Sequence, residues 1–311
     1  MREQISLFVK GLAMGAANVI PGVSGGTIAL ITGIFERLIN AIKSLNFNAV
    51  KLIFGGKFKD FARATDFWFL VWVFLGVGAA IFSLARVFEF LFNHYPVYIW
   101  SYFFGLILAS VYFVGANVQK WRLPVIISFI IGAGIALAIT FLRPAAENRD
   151  FFYLILSGIV AVCSMILPGL SGSFVLILMG NYHLVAIEAI NNLDFSILLP
   201  VLLGMVAGLI AFSHLLSWLL RTFKDETLGL LTGFILGSLG VIWPWKEANY
   251  MTDAAGNIIV KSGKQVVERY DLILPQQVGL NEITAILIMV AGIITIWLLE
   301  KYALAEGKKN G

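Results

Sequence analysis

Two turns rich in serine and glycine interrupt long apolar runs, and both have the composition to hold an anion. Ile20-Pro21-Gly22-Val23-Ser24-Gly25-Gly26 is followed by Thr27. The pattern returns 147 positions later as Leu167-Pro168-Gly169-Leu170-Ser171-Gly172-Ser173. Proline removes a backbone donor, and glycine leaves the backbone open to close approach. A glycine-rich turn ahead of a helix presents unpaired N–H groups, and the helix dipole adds partial positive charge. The hydroxyls of this motif either donate to a phosphate or carboxylate, or cap the helices that follow. The candidate anion-binding set is therefore Ser24, Gly25, Gly26, Thr27, Ser171, Gly172 and Ser173. Asn18 and Ser164, just ahead of the breaks, are supporting candidates. A structural reading stands beside this one: the prolines and glycines bend and pack tilted helices, and Ser24 and Ser171 are caps.

Arg86 lies in the apolar stretch Ala80-Ile81-Phe82-Ser83-Leu84-Ala85-Arg86-Val87-Phe88-Glu89. A charge inside a membrane span is a functional candidate by default, and the planar guanidinium fork suits phosphate. Glu89, three residues on, shares its helical face and is a coupling candidate. A structural ion pair, or an arginine snorkelling to the interface, is the alternative. His214 titrates near neutral pH in the ordinary case, which makes it a second coupling candidate; simple hydrogen bonding is the plainer account. The chain has one cysteine, Cys163, and three scattered histidines, His94, His183 and His214. That excludes an internal disulfide and gives no metal-ligand spacing. No metal, no cofactor and no nucleic-acid partner is expected.

Apolar residues make up 59% of the chain and charged residues 13%, against about a quarter charged in soluble domains. The fold class is an all-α polytopic membrane protein. Six runs reach the ~20 apolar residues a spanning helix needs: 67–92, 97–118, 123–142, 196–220, 227–245 and 281–300. The motif segments, 9–35 and 151–180, read as re-entrant hairpins, the first entering from the cytoplasm and the second from outside. With a cytoplasmic N-terminus, 15 Lys and Arg then lie inside and 6 outside, with Arg86 in the membrane, as the positive-inside rule prefers. The C-terminus also falls inside. The first apolar run lacks a small-residue cleavage site and is not expected to be a removed signal.

A second offset, 128, sets Gly105 on Gly233, Gly76 on Gly204, Ser110 on Ser238 and Arg86 on His214. Each half, 1–145 and 146–311, is a hairpin plus three spans. Three is odd, so the second half is expected to be inverted, an architecture of alternating-access transporters. The basic linker 36–66, with Ile39, Ile42, Leu45, Phe47, Phe54, Phe58 and Phe61 interleaved, reads as an interfacial amphipathic segment. Residues 246–280 read as an exterior loop with a small β-hairpin turning at Ser262-Gly263. Trp68, Tyr98, Trp100, Trp121, Trp243 and Trp245 read as interface belts.

The run Met14-Gly15-Ala16-Ala17-Asn18-Val19-Ile20-Pro21-Gly22-Val23-Ser24-Gly25-Gly26-Thr27, with Leu167-Pro168-Gly169-Leu170-Ser171-Gly172-Ser173, resembles the bacterial polyprenyl-phosphate transporters (PopT-type), a family long filed as a domain of unknown function. The likeness covers nearly the whole chain in length, motif order and span count. Ser173 departs from Gly26, so the two hairpins need not bind alike. The resemblance implies a substrate, undecaprenyl phosphate, carried from the outer to the inner leaflet of the bacterial cytoplasmic membrane for reuse in cell-envelope synthesis. Two other classes stay open. One is a small-anion channel or secondary transporter built on inverted hairpins. The other is an intramembrane lipid phosphatase, which lacks the nucleophile's partners; no enzyme is expected.

Overall fold

The computed structural model describes every residue except 1, 20–24, 143, 169, 191, 251–259, 262–263, 266, 276–278 and 308–311. The first half runs α1 Arg2–Val19, α2 Gly25–Ile31, α3 Phe35–Ser44, α4 Phe47–Phe54, α5 Phe58–Ala64, α6 Phe67–His94, α7 Pro96–Gly115 and α8 Leu123–Thr140. The second runs α9 Phe151–Ile166, α10 Gly172–Leu178, a π-helical stretch Leu184–Ala189, α11 Phe195–Thr222 and α12 Lys224–Ser238. Strands β1 Lys246–Tyr250, β2 Val260–Lys261, β3 Lys264–Gln265 and β4 Val267–Leu272 follow, then α13 Leu280–Gly307.

Helices α7, α8, α11 and α13 are each long and apolar enough to cross a membrane, and α6 joins them when taken with α5, to which it is bent by 72°. The chain is a multi-pass helical membrane protein. The fifth expected span is shorter than 227–245. Helix α12 has 15 residues, about 22 Å at 1.5 Å per residue. It tightens at its end, where Leu239, Gly240 and Val241 each donate to the carbonyl three residues back. Pro244, which has no N–H to continue a helix, stands shortly beyond.

Four helix pairs build the bundle: α1 with α6, α9 with α11, α7 with α13, and α8 with α12. In lipid no apolar driving force separates helix from helix, so close packing between small residues carries association. Glycines supply it here. A Cβ at Gly11 would collide with the Val73 carbonyl, and one at Gly76 with that of Phe8. The same collisions occur at Gly158 with Val201 and at Gly204 with Ile155, which are the same positions moved by 147 and 128. Gly105 lies against Met289 and Gly292 against Tyr102, as Gly233 lies against Phe129 and Gly132 against Leu230. The third long helix of each half thus packs on the second of the other.

Two loops differ from expectation. The linker forms α3, α4 and α5, and its apolar side is partly claimed by the protein itself: Ile39, Ile42 and Phe61 are buried, while Leu45, Phe54 and Phe58 are exposed. Helix α3 packs on α11, where Ser217 Oγ donates to Asn40 Oδ1 at 3.0 Å. The loop after α12 is more extensively paired than one small hairpin. Val260 faces Gln265 and Lys261 faces Lys264 across the expected turn, whose tip, Ser262-Gly263, is outside the described residues. A longer antiparallel ladder joins β1 to β4 behind it.

Candidate functional site: two folded-back hairpins

Both motif segments are helical hairpins. In the first, Lys10 Nζ donates to the Thr32 carbonyl at 3.0 Å, and the Gly25 N–H donates to Asn18 Oδ1 at 2.8 Å. Helix α2 therefore runs back along α1. In the second, Tyr153 Oη donates to the Met179 carbonyl at 2.9 Å, and a Cβ at Gly172 would press on the Ala161 carbonyl and Met165. Helix α10 runs back along α9. The first hairpin starts at Arg2, seven residues before the expected 9, because α1 continues unbroken through the polar N-terminal turn.

Each short helix stops the same way. Gly33 has φ +71° and Gly180 φ +74°, the left-handed conformation that favours glycine. Gly33 donates to Leu30 and Ile34 to Ala29; Gly180 donates to Ile177 and Asn181 to Leu176. This pair of bonds is the Schellman ending, which satisfies the last carbonyls of a helix. Its consequence is a sharp exit: α3 leaves α2 at 118°.

The motif residues divide unevenly. Gly25, Gly26 and Thr27 are buried at the start of α2. Ser24, and the rest of the turn from Ile20 to Val23, lies outside the described residues. Ser171 is buried; its Oγ accepts the Phe174 N–H at 3.2 Å and lies 2.8 Å from Ser173 Oγ. The hydroxyl is thus the N-cap of α10. Gly172 is buried beneath it, and Ser173 is half-buried. Ser164 is also buried but bonds to its own helix, at the Ala161 carbonyl. Helix α2 packs on α9, so the two hairpins are neighbours in the middle of the bundle.

The proposed charged partners are not shown at this centre. Helix α6 carries Arg86 and Glu89, whose side chains fall outside the described part of the structure. His214 lies on the exposed side of α11, its Nδ1 2.8 Å from the Ile210 carbonyl one turn back.

Several polar groups here were not singled out from the sequence. Trp72 Nε1 and Ser101 Oγ are buried and have no hydrogen-bond partner among the described residues. Lys10 and Tyr153 hold the short-helix ends. The base of the first hairpin is clasped by Arg37, paired with Asp66 at 2.6 Å and Glu3 at 3.0 Å. The base of the second is clasped by Asn181, which accepts from the Asn148 N–H at 2.9 Å and donates to the Asn148 carbonyl at 2.8 Å. Arg149 adds a 2.8 Å pair with Glu188. The sequence signal that could have found these positions is Gly33 and Gly180, spaced by the same 147 as the motif.

Fold and site together define a multi-pass membrane protein with two packed hairpins broken at a Pro-Gly-x-Ser-Gly turn. Residues 14–259 match the VCA0040-like family, described as undecaprenyl phosphate translocase-like, and the chain belongs to that family. It is 40% identical over 300 residues, 96% of this chain and 97% of the relative, to a polyprenyl-phosphate transporter of Vibrio cholerae serotype O1. It is 32% identical over 258 residues, 78% of this chain and 87% of the relative, to a polyprenyl-phosphate transporter of Staphylococcus aureus. No solved structure matches.

Proposed function

We propose that this chain carries a polyprenyl phosphate, undecaprenyl phosphate foremost, from the outer to the inner leaflet of the bacterial cytoplasmic membrane, where it is reloaded for cell-envelope synthesis. The observation that carries this reading is the 40% identity across nearly the whole of a protein named polyprenyl-phosphate transporter. The paired hairpins supply a physical means. A phosphomonoester must cross about 30 Å of hydrocarbon, and an unpaired charge there costs far more than binding can return. Irregular backbone at membrane depth is tolerated where protein buries it or where it lines a cavity. Two broken segments in corresponding positions of the two halves mark where a transporter holds its substrate.

In this reading the chain is a transporter and not an enzyme. Both termini are cytoplasmic, and the second half is inverted against the first. The phosphate head is received by Ser24, Gly25, Gly26 and Thr27 from one hairpin and by Ser171, Gly172 and Ser173 from the other. Arg86 supplies the fixed charge. Glu89 and His214 are the coupling candidates, and Asn18 supports the first turn. The prenyl tail stays in lipid, passing a lateral opening while the halves rock.

The test is a leaflet assay in proteoliposomes loaded with a polyprenyl phosphate, using an impermeant phosphatase outside. Protein-dependent access to all of the lipid, slowed by Arg86→Ala, is the expected result. Access that stops at the outer-leaflet half with folded protein present rejects lipid translocation and leaves a small-anion channel or transporter in its place.

A further inference from the structure

Lys246 opens β1, eight residues beyond the end of α12. Its ammonium lies 3.7 Å from the centroid of the Trp100 ring and 5.0 Å from that of Tyr270. It donates one hydrogen bond, to the Val241 carbonyl at 3.0 Å. Further rings pack on the same elements. Phe92 meets Trp100 edge-on at 5.2 Å, and Trp243 meets Phe104 at 5.3 Å and Trp245 at 5.5 Å. Trp243 is itself fixed by a bond from Nε1 to the Ile273 carbonyl. This aromatic girdle lies at the end of the bundle where α6 hands over to α7. Tryptophan and tyrosine collect at the depth of lipid head groups, so the ammonium is held at that depth too.

The cation has no counter-charge among the described residues. Among the described residues no carboxylate lies within 4 Å of Lys246, in contrast to Arg37, Arg149 and Lys224, each of which has one. An ammonium carries three donors, and one of them meets an acceptor oxygen here. Ring faces attract a cation but do not neutralise it. Burial pushes the Lys246 ammonium down to about 8, the direction expected when desolvation disfavours charge. A desolvated cation without an anion is held at a cost in free energy that an arriving anion would offset. The position is also one-sided: the 128 offset places Val118, a buried apolar residue, opposite Lys246 in the other half.

We propose that Lys246, caged by Trp100 and Tyr270, is a docking cation for the phosphomonoester head of the lipid at this face of the membrane. The proposal rests on the lipid-carrier reading above, in whose topology this face is the exterior. It gives the outer mouth a capture point, in the leaflet from which the lipid must be collected, ahead of the two hairpins. The head group would take up the two ammonium donors that meet no acceptor among the described residues, and the rings would fix its position.

The test uses the purified full chain with three probes: geranylgeranyl phosphate, the neutral geranylgeraniol and inorganic phosphate. Affinities are measured calorimetrically for the native protein and for Lys246→Met, Lys246→Gln and Lys246→Arg, with the unfolding midpoint of each recorded. Losing a charge-assisted bond should weaken geranylgeranyl phosphate about tenfold or more in the Met and Gln variants. The Arg variant should stay within about threefold, since it keeps the charge. The alcohol should bind all four proteins alike. Gln keeps a donor for Val241, so it answers the question if Met does not fold. Equal affinity of native and neutral variants for the lipid phosphate overturns the proposal, while continued translocation in the leaflet assay would leave the carrier reading standing. Inorganic phosphate bound as tightly as the lipid, with the same dependence on Lys246, overturns the lipid assignment in favour of a free-phosphate site. A native protein that neither binds the lipid phosphate nor translocates it removes both readings together.

Discussion

The two hairpins share a backbone and differ in almost every bond that closes it. Gly25 and Gly172 stand 147 apart, and so do the left-handed Gly33 and Gly180 that end the short helices. The side chains around them have diverged. Asn18 accepts the Gly25 N–H in the first hairpin, whereas its counterpart in the second, Met165, has no strong acceptor and lies against Gly172. There Ser171 takes over as a cap. The carbonyl ending α2 is held by Lys10, and the equivalent carbonyl ending α10 by Tyr153. The base of one is an ion cluster and the base of the other an asparagine clasp. Backbone geometry thus tolerates one residue type, while a required hydrogen bond can be met from several. That difference also orders the experiments below.

Enlarging the interhelical glycines should have the largest effect and should be the same in both halves. Gly105 and Gly233 each face a backbone carbonyl of the partner helix that has no room to move. Gly105→Leu and Gly233→Leu should each cost about 3 kcal/mol or more. The loss would appear as a collapse in monodisperse protein recovered from membranes and a lowered denaturation midpoint. A large loss for one and none for the other would break the equivalence of the α7–α13 and α8–α12 pairs.

Within the hairpins, alanine should separate the two. A Cβ at Gly172 would lie 2.8 Å from the Ala161 carbonyl, which is helix backbone, while one at Gly25 would lie 2.8 Å from the side-chain amide of Asn18, which can turn away. Gly172→Ala should therefore cost about 2 kcal/mol by overpacking, and Gly25→Ala about 1 kcal/mol by loss of one hydrogen bond. Denaturant titration in detergent reads the difference. The opposite order would show that the second hairpin is the more plastic.

The same contrast explains what could be read from the sequence. Pro-Gly-x-Ser-Gly twice marked both breaks, and glycines at a constant offset marked matching positions of the two halves; that those glycines seat the packed helix pairs emerged only from the fold. Helices lie within a few residues of the expected segments, except that α12 ends at Ser238 where 227–245 was expected and α13 runs on to Gly307 beyond the expected 300. The Lys10, Tyr153 and Asn181 bonds were not legible: Lys10 lies in the middle of α1, Tyr153 and Asn181 are ordinary residues near helix ends, and each partner lies many residues away in sequence. The linker misled for a related reason. An amphipathic helix looks alike whether its apolar face meets lipid or protein, and α3 buries Ile39 and Ile42 against the bundle.

Exchanging the closing residues tests whether they are separate solutions to one problem. Asn18→Met copies the second hairpin into the first, and it should lose about 1 kcal/mol because no other acceptor for the Gly25 N–H lies among the described residues. Met165→Asn should change stability little, since Ser171 already caps α10. Ser171→Ala should cost about 1 kcal/mol, the ordinary value of an N-cap. If Met165→Asn rescued Ser171→Ala in a double-mutant cycle, the two devices would be interchangeable.

The smallest effects belong to Asp66 and Asp194, which the 128 offset sets on one another at the starts of α6 and α11. Asp66 has φ 47° and makes no cap bond; its carboxylate is half-exposed and paired with Arg37. Asp66→Asn keeps a residue that tolerates the left-handed region and should cost at most about 1 kcal/mol, with the loss vanishing at high salt. Asp194 instead caps α11, accepting from Ser196 Oγ at 2.6 Å and Ser196 N–H at 3.0 Å. Those bonds hold its carboxyl below the usual value of 3.8. A carboxyl depressed in the folded state contributes stability that is complete above its unfolded value and fades as pH falls through the folded one. The gap in unfolding midpoint between native protein and Asp194→Ala should therefore be full at pH 5 and insensitive to salt, and should narrow as the pH drops below about 3.8. A gap that responded to salt and not to acid would make Asp194 an ion-pair residue like Asp66, placed there by its neighbour Arg149, and the two helix starts would then be held by one kind of force.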